Sequence, residues 1–241
     1  MRKLIYPIIV LVCVACYYVW QSSNNDTISK ENLDYEEQQV IDGDGIKELT
    51  RKDFLPKSDN QIIHHKTYSL SYNEYHEQAD WTVHVLRGSD TKGGDYKRPY
   101  FEIDEMVKTG AASWRNYKNS GYDKGHLVPA ADRKGSRTAH DETFLTSNIS
   151  PQNHDFNAGV WNKLEQKVRY YAQRYDELYV ITGPVLKKGL PSIGTEHVSV
   201  PQRYYKIIYR DDANGPKLLA FLMDNKPSNA SIYNFVTSVD T

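Results

Sequence analysis

The chain has 241 residues, 39% of them hydrophobic and 25% charged, which is enough for one substantial domain and a tail. Its formal net charge is −1, which argues against a protein that binds nucleic acid through bulk positive charge. Any phosphate-binding site in this chain must therefore be local and made by a few lysines and arginines in a cleft.

The N-terminus has the composition of a targeting segment. Two basic residues precede an apolar run from Leu4 to about Trp20, the order of regions found in a signal peptide. The run is at the short limit for a membrane span, and no clean cleavage site follows it. A cleaved signal, an uncleaved anchor and a lipoprotein signal ending at Cys16 all stay open, and a buried N-terminal helix is the alternative without export. Residues 1–20 are expected to direct export, which leaves the rest of the chain secreted or attached to a membrane, outside the cytoplasm.

The composition changes after this segment. Residues 21–58 are rich in Ser, Asn, Asp, Glu and Gln and poor in large apolar residues, which predicts a flexible polar spacer. Residues 59–241 form the predicted folded domain. Both cysteines, Cys13 and Cys16, lie in the N-terminal segment, so the predicted domain has neither a disulfide nor a thiolate metal ligand. The sequence stops abruptly at Thr241, which suggests truncation there.

The first elements of the domain are predicted to be strands. β-branched and aromatic residues alternate in part over residues 63–70 and 81–86, whereas the composition of residues 88–98 predicts a loop. A short strand or an irregular turn is expected over residues 122–128, and Pro129 should end it.

The strongest helical pattern covers residues 157–174. Apolar residues recur there at helical spacing: Trp161, Leu164, Val168 and Tyr171 or Ala172. Asn157 points into the same apolar face, and this amide needs a partner because an unpaired buried polar group costs roughly 1–3 kcal/mol. Glu165 lies at the margin of the face, and Arg169 follows at i+4, where the two can pair.

The C-terminal part is predicted to be mainly strands. Residues 178–182 should form a strand that ends at a Gly-Pro pair, and residues 204–209 and 217–223 should form two more. Residues 227–236 are predicted to begin another helix.

Two segments carry the chemistry. One is Gly121-Tyr-Asp-Lys-Gly-His126, and the other is Asn148-Ile-Ser-Pro-Gln152, which runs into the predicted helix. Phosphodiester hydrolysis needs an acceptor for a proton of water and positive charge near the phosphorus oxygens and the leaving oxygen. A histidine suits the first task. Mg²⁺ suits the second, and because it keeps several waters one protein ligand can suffice. His126 and Asn157 supply both groups if the fold brings them together, although each alone is more often structural.

In this linear order the two segments resemble the DNA/RNA non-specific endonucleases of the ββα-metal nuclease superfamily, whose signature is Asp-Arg-Gly-His. Here the signature reads Asp123-Lys124-Gly125-His126, and the second block, residues 143–152 followed by residues 157–169, also looks like the family. The resemblance covers about residues 60–236. It implies an α+β fold of the ββα-metal (His-Me finger) type, in which a mixed, mostly antiparallel sheet has the active-site helix packed beside it.

The resemblance also implies roles for individual residues. His126 would be the general base, and Asn157 the only direct protein ligand of Mg²⁺, for which Mn²⁺ can substitute. The other implied residues are Glu165, which would hold metal-bound water, Arg169, which would contact the phosphate, Asp123, which would support the active-site loop, and Lys124, Asn148 and Gln152, which would shape the site and bind substrate. Lys124 departs from the family's arginine. Lysine keeps the charge but lacks the planar fork that grips a phosphate with two hydrogen bonds, a loss that bears on efficiency and not on the type of reaction.

Two functions are consistent with these features. The first is a Mg²⁺-dependent, sugar-non-specific endonuclease that hydrolyses DNA and RNA outside the membrane. The alternative is an exported nucleic-acid-binding or surface module of the same fold without turnover. The complete set of His126, Asn157, Glu165 and Arg169 favours the enzyme. The expected partners are DNA, RNA and, through the N-terminal segment, a membrane. The sequence leaves open the oligomeric state, a homodimer included, the preferred substrate and the biological role.

Overall fold

The computed structural model of the protein describes residues 54–211 and 215–239. The predicted targeting segment and nearly all of the predicted spacer lie outside these residues. Within the described part, no helix is both long enough and apolar enough to span a membrane.

β-Strands are the main regular secondary structure of the described residues. The eleven strands in it are β1 (Gln61–His64), β2 (Ser69–Asn73), β3 (Gln78–Arg87), β4 (Asp123–His126), β5 (Ile149–Gln152), β6 (Glu177–Pro184), β7 (Ser192–Ile193), β8 (Val198–Ser199), β9 (Arg203–Arg210), β10 (Lys217–Asp224) and β11 (Val236–Thr237). Seven of them form one sheet in the order β1-β2-β3-β6-β9-β10-β11, and each neighbouring pair in it is antiparallel. The β4-β5 and β7-β8 pairs form two smaller antiparallel sheets.

The centre of the large sheet is buried on both faces. Successive side chains of a strand point to opposite faces of the sheet. In β3 and β6 the side chains on both faces are largely buried, so both faces of the sheet are covered there. One parallel pairing occurs in the described residues, an isolated bridge between Glu102 and Leu145. The fold is therefore α+β with a mostly antiparallel sheet, as predicted.

A two-stranded hairpin followed by a helix positions the candidate site. β4 pairs with β5 so that Asp123 is opposite Gln152 and His126 is opposite Ile149. The chain then enters the helices α2 (His154–Phe156), a π-helical turn (Asn157–Trp161) and α3 (Asn162–Tyr175). The remaining α-helix of the described residues is α1 (Arg137–Glu142).

The helix predicted over residues 157–174 is confirmed, with a different start. Asn153 accepts a hydrogen bond from the backbone N–H of Phe156 and caps α2. Gly159 has φ −96° and ψ −112°, which is not helical, and the first turn widens to a π-turn there. Such single π-turns are often found at functional sites.

Two of the predicted elements are wrong. The strand predicted over residues 63–70 is interrupted, because the Glu142 carboxylate accepts hydrogen bonds from the backbone N–H groups of Lys66 and Thr67 and holds them in a turn. The helix predicted to begin within 227–236 is only a 3₁₀ turn, Ile232–Phe235, and β11 follows it. The strands predicted over residues 81–86, 178–182, 204–209 and 217–223 are confirmed and lie within β3, β6, β9 and β10.

Candidate active site

A hydrogen bond joins the two sequence blocks. Asp123 Oδ2 accepts from Asn157 Nδ2 at 2.9 Å and lies 3.0 Å from Nδ1 of His154. An ionised carboxylate only accepts hydrogen bonds, so Asn157 must present its NH₂ group to Asp123. The partner predicted for the inward-facing Asn157 is thus Asp123. The amide oxygen Oδ1 of Asn157 is left available to a cation.

The imidazole of His126 lies at the end of β4 against two aromatic rings. The ring centroids are 4.9 Å from Phe144, edge-on, and 5.4 Å from Phe101. Among the described residues its buried Nε2 has no hydrogen-bond partner. Burial, together with the charges of Arg98 and His140, lowers the pKa of His126 from 6.5 to about 3. The ring is therefore neutral at neutral pH, which is the form that can accept a proton.

Two cationic side chains lie next to the rings of Phe101 and Phe144. The Arg98 guanidinium carbon lies 5.5 Å from the centre of the Phe144 ring, and Lys124 Nζ lies 5.6 Å from the centre of the Phe101 ring. Arg98, at the end of the predicted loop 88–98, was not among the predicted site residues. An arginine in a polar loop gives no spacing signal, and only the fold brings it towards His126.

Arg169 has a different partner from the one expected. Its Nη1 donates to Asp132 Oδ1 at 2.9 Å, and the Arg169 side chain is 16% exposed. The other carboxylate oxygen of Asp132 lies 3.2 Å from Nε2 of the buried His84. The predicted pair between Glu165 and Arg169 therefore does not form, because the 3₁₀ turn Ala130–Arg133 brings a buried carboxylate to the guanidinium.

Glu165 lies among buried charges. Burial raises the pKa of its carboxyl group, and the Asp132 carboxylate raises it further, whereas the charges of Lys206 and Arg169 lower it. None of the described side chains forms an ion pair with it within 4.0 Å. Its oxygens can therefore still accept hydrogen bonds from water.

The side chain of Asn148 holds the backbone around the site. The residue is fully buried. Its Nδ2 donates to the carbonyl oxygens of Val128 and Thr143 at 3.0 and 2.9 Å, and its Oδ1 accepts from the backbone N–H of Val128 at 2.9 Å. The side chain of Asn148 thus joins the segment after His126, at Val128, to the segment that contains Thr143. These contacts fit the part of the prediction in which Asn148 shapes the site, and direct substrate binding by Asn148 stays a prediction.

Gln152 is buried against the glycine of the signature. A Cβ atom on Gly125 would lie 2.2 Å from the Gln152 side chain, so the glycine leaves the space that this side chain occupies. In the described residues neither polar atom of the Gln152 amide has a hydrogen-bond partner. A buried amide in this state is costly, and it can donate to or accept from a group bound at the hairpin.

These donors suit a hard cation with few protein ligands. No group of three or more His, Cys, Asp or Glu residues in the described part could hold a metal ion, which argues against a zinc-type site there. Mg²⁺ prefers oxygen and keeps several waters. The side-chain amide oxygen Oδ1 of Asn157 fits this requirement, because Asp123 orients the amide.

Comparisons with known proteins identify the family of the chain. A family model described as DNA/RNA non-specific endonuclease matches residues 46–241. The mitochondrial nuclease EXOG of Danio rerio is 32% identical over 208 residues, which are 80% of this chain and 61% of the relative. Human mitochondrial endonuclease G is 32% identical over 185 residues, 71% of this chain and 62% of the relative. The chain thus spans somewhat less than two thirds of the length of these relatives.

A solved structure shares the fold. The crystal structure of a complex described as EndoG/EndoGI, with the mechanism of EndoG inhibition as its subject, contains a chain that superposes with a TM-score of 0.69 and 28% sequence identity. The superposition covers 75% of this chain and 81% of that one.

Proposed function

The chain belongs to the family of DNA/RNA non-specific endonucleases, and from that premise we propose that it is a Mg²⁺-dependent endonuclease that hydrolyses phosphodiester bonds of both DNA and RNA. The observation that carries the proposal is the hydrogen bond from Asn157 to Asp123. This hydrogen bond connects the helical segment that contains Asn157, the proposed cation ligand, to β4, which contains His126.

His126 is the proposed general base. The oxygen of a water molecule attacks phosphorus, the bond from phosphorus to the leaving oxygen breaks, and the proton of the water passes to His126. The low pKa of His126, about 3, keeps the ring in its accepting form before substrate binds. A bound phosphate adds negative charge beside the ring, which raises the pKa of His126 and makes it a stronger base.

Asn157 Oδ1 is the proposed cation ligand. When bound there, Mg²⁺, or Mn²⁺ in its place, supplies positive charge at the phosphate oxygens and the leaving oxygen. Asp123 orients the Asn157 amide through their 2.9 Å hydrogen bond, a supporting contact of the kind that fixes metal ligands. Glu165 accepts hydrogen bonds from the water around the cation site.

Basic side chains are proposed to bind the phosphate. Lys124 lies over the Phe101 ring and Arg98 over the Phe144 ring, and both rings pack against His126. Arg169 uses Nη1 for Asp132 and keeps further N–H donors for a phosphate. The buried amide of Gln152 can donate to a group bound at the hairpin. Because these side chains contact the phosphate and not the base or the 2′-hydroxyl, the proposed cleavage does not depend on the sugar.

The targeting proposal rests on the sequence alone. We propose that residues 1–20 direct export and that residues 21–58 tether the nuclease domain, residues 59–241. The names of the two relatives given above place them in mitochondria. Fusion of residues 1–58 to a reporter that is active only after export would test this proposal, and a reporter that stays inactive would contradict it.

One assay tests the enzymatic proposal. The protein is incubated with single-stranded DNA, duplex plasmid DNA and RNA, each with Mg²⁺ and with Mg²⁺ plus excess EDTA. The expected result is cleavage of all three substrates that stops with EDTA. Stoichiometric binding without cleavage would favour the non-catalytic module. Cleavage of one substrate alone would overturn the non-specific proposal and leave the nuclease chemistry standing.

A further inference from the structure

A buried lysine lies beneath the active-site helix. Lys206 is 1% exposed and stands in β9 between Tyr204 and Ile208, which are buried on the same side of the sheet. A strand pattern would place an apolar residue at such a position. A buried ammonium costs free energy unless it is hydrogen-bonded and balanced by opposite charge, so this lysine needs a physical reason.

Its contacts hold the ammonium between the sheet and the helix. Lys206 Nζ donates to Thr182 Oγ1 at 2.6 Å, and Thr182 is directly opposite Lys206 in the β6-β9 register. Nζ also lies 5.0 Å from the centre of the Trp161 ring. Trp161 ends the π-turn that begins at Asn157, so the charge lies against the start of the active-site helix.

The charges that face Lys206 form a balanced set. α3 supplies Glu165 and Arg169, and the 3₁₀ turn Ala130–Arg133 supplies Asp132. The neighbouring His84 of β3 is neutral at neutral pH, because burial lowers its pKa to about 4. Two carboxylates thus meet two cations. Arg169 is committed to Asp132 by a direct 2.9 Å ion pair, so Lys206 is the cation left to balance Glu165.

We propose that Lys206 is a positioning residue of the active site that acts through Glu165. Its buried ammonium, packed against Trp161 one helical turn before Glu165, favours the charged form of the Glu165 carboxylate. The role of Glu165 in this inference rests on the proposed function.

The causes of the two pKa shifts support an electrostatic link between Lys206 and Glu165. Burial raises the pKa of Glu165 and the charge of Lys206 lowers it. Burial lowers the pKa of Lys206 and the charge of Glu165 raises it. Each group therefore favours the charged form of the other, against a burial effect that leaves the pKa of Glu165 raised to about 7 and that of Lys206 lowered. Without the ammonium, burial and the Asp132 carboxylate would both raise the pKa of Glu165, and the carboxylate would be protonated at a higher pH.

The first measurement is independent of catalysis. The carboxyl carbon of Glu165 is followed by NMR through a pH titration of the metal-free protein, in wild type, in Lys206→Met and in Lys188→Met. Methionine keeps most of the side-chain volume of lysine. Lys188 is exposed, so its replacement removes one charge without touching the buried set. The expected result is a higher titration midpoint for Glu165 in Lys206→Met, by about one pH unit or more, and an unchanged midpoint in Lys188→Met.

The second measurement connects the titration to turnover. In Lys206→Met the acid limb of the kcat/KM profile should move to higher pH with the Glu165 midpoint. When the limb moves by about one pH unit, the rate at a fixed pH on that limb falls about tenfold. A Glu165→Gln/Lys206→Met double variant should be no slower than Glu165→Gln alone, because the two residues act in series. A merely structural lysine would lower the rate at all pH values without moving the limb.

Each outcome decides the proposal. An unchanged Glu165 midpoint, or a moved midpoint with an unmoved kcat/KM limb, overturns the positioning role. If Lys206→Met does not fold, Thr182→Val removes only the hydrogen bond to the ammonium and should move the midpoint in the same direction by less. An unmoved midpoint there overturns the role as well. A wild-type protein without turnover would reject the proposed function, and the titration would still decide the link between Lys206 and Glu165.

Discussion

Replacing His126 with alanine should remove catalysis and make the fold more tolerant of acid. The loss of a general base lowers turnover by about a hundredfold or more, which corresponds to about 2.7 kcal/mol of transition-state stabilisation. The removed ring lies against Phe101 and Phe144, so some packing is lost as well. Substrate binding should be retained, since the neutral ring carries no charge towards the phosphate.

The gain in acid tolerance follows from the pKa of His126, lowered from 6.5 to about 3 in the fold. Below pH 6.5 the unfolded chain binds a proton at this residue, and the folded protein does not until near pH 3. Between these values the unfolded state binds more protons, so stability falls as the pH falls. At about 1.4 kcal/mol per pH unit, His126 costs the wild type up to about 2 kcal/mol between pH 8 and pH 5. The alanine variant lacks this cost.

Urea unfolding at pH 8 and pH 5 and turnover on plasmid DNA measure the two effects. The His64→Ala variant is the matched control, because His64 is exposed on β1, and it should keep its turnover. Near wild-type turnover in His126→Ala would refute the general-base role. A variant whose unfolding free energy falls between pH 8 and pH 5 as much as that of the wild type would refute the account of a neutral, buried imidazole.

Substitutions at three further positions test the β4-β5 pair. Asp123→Asn should raise the Mg²⁺ concentration needed for half-maximal rate by about tenfold or more, since the amide of Asn157 loses its carboxylate partner, and an unchanged Mg²⁺ titration would contradict this. Gly125→Ala should lower both the melting temperature and turnover, because the new Cβ would lie 2.2 Å from Gln152; unchanged thermal unfolding would argue against this close approach. Lys124→Arg should keep or raise activity, whereas Lys124→Ala should reduce the salt dependence of kcat/KM by about one phosphate contact. An unchanged salt slope would show that Lys124 does not touch the substrate.

The elements with a clear period could be predicted, and the ones fixed by distant partners could not. The helix from Asn157 and the central strands β3 and β6 follow their own patterns because local spacing decides which face is buried. The break between β1 and β2 depends on Glu142, which binds backbone N–H groups more than seventy residues away in sequence. No local sequence pattern predicts a contact between residues so far apart in the chain.

The site shows the same division. The two sequence blocks singled out Asp123, His126 and Asn157, and the inward direction of Asn157 required a hydrogen-bond partner, which is Asp123. Local spacing paired Arg169 with the nearest carboxylate on its helix, but the fold supplies the more deeply buried Asp132 instead. A buried ion pair is favoured where both groups are already withdrawn from water, because charge–charge interactions are stronger there.

The net charge of −1 and a polyanionic substrate are compatible because the charges are divided by location. The buried set beneath α3 balances its own carboxylates with Arg169 and Lys206, so its negative charge does not repel a phosphate strongly. Arg98 and Lys124 stand instead at the rings around His126. The charge of Arg98 depresses the pKa of the free imidazole. On the proposed mechanism a bound phosphate offsets that charge, so His126 becomes more basic at the moment when a proton has to be accepted.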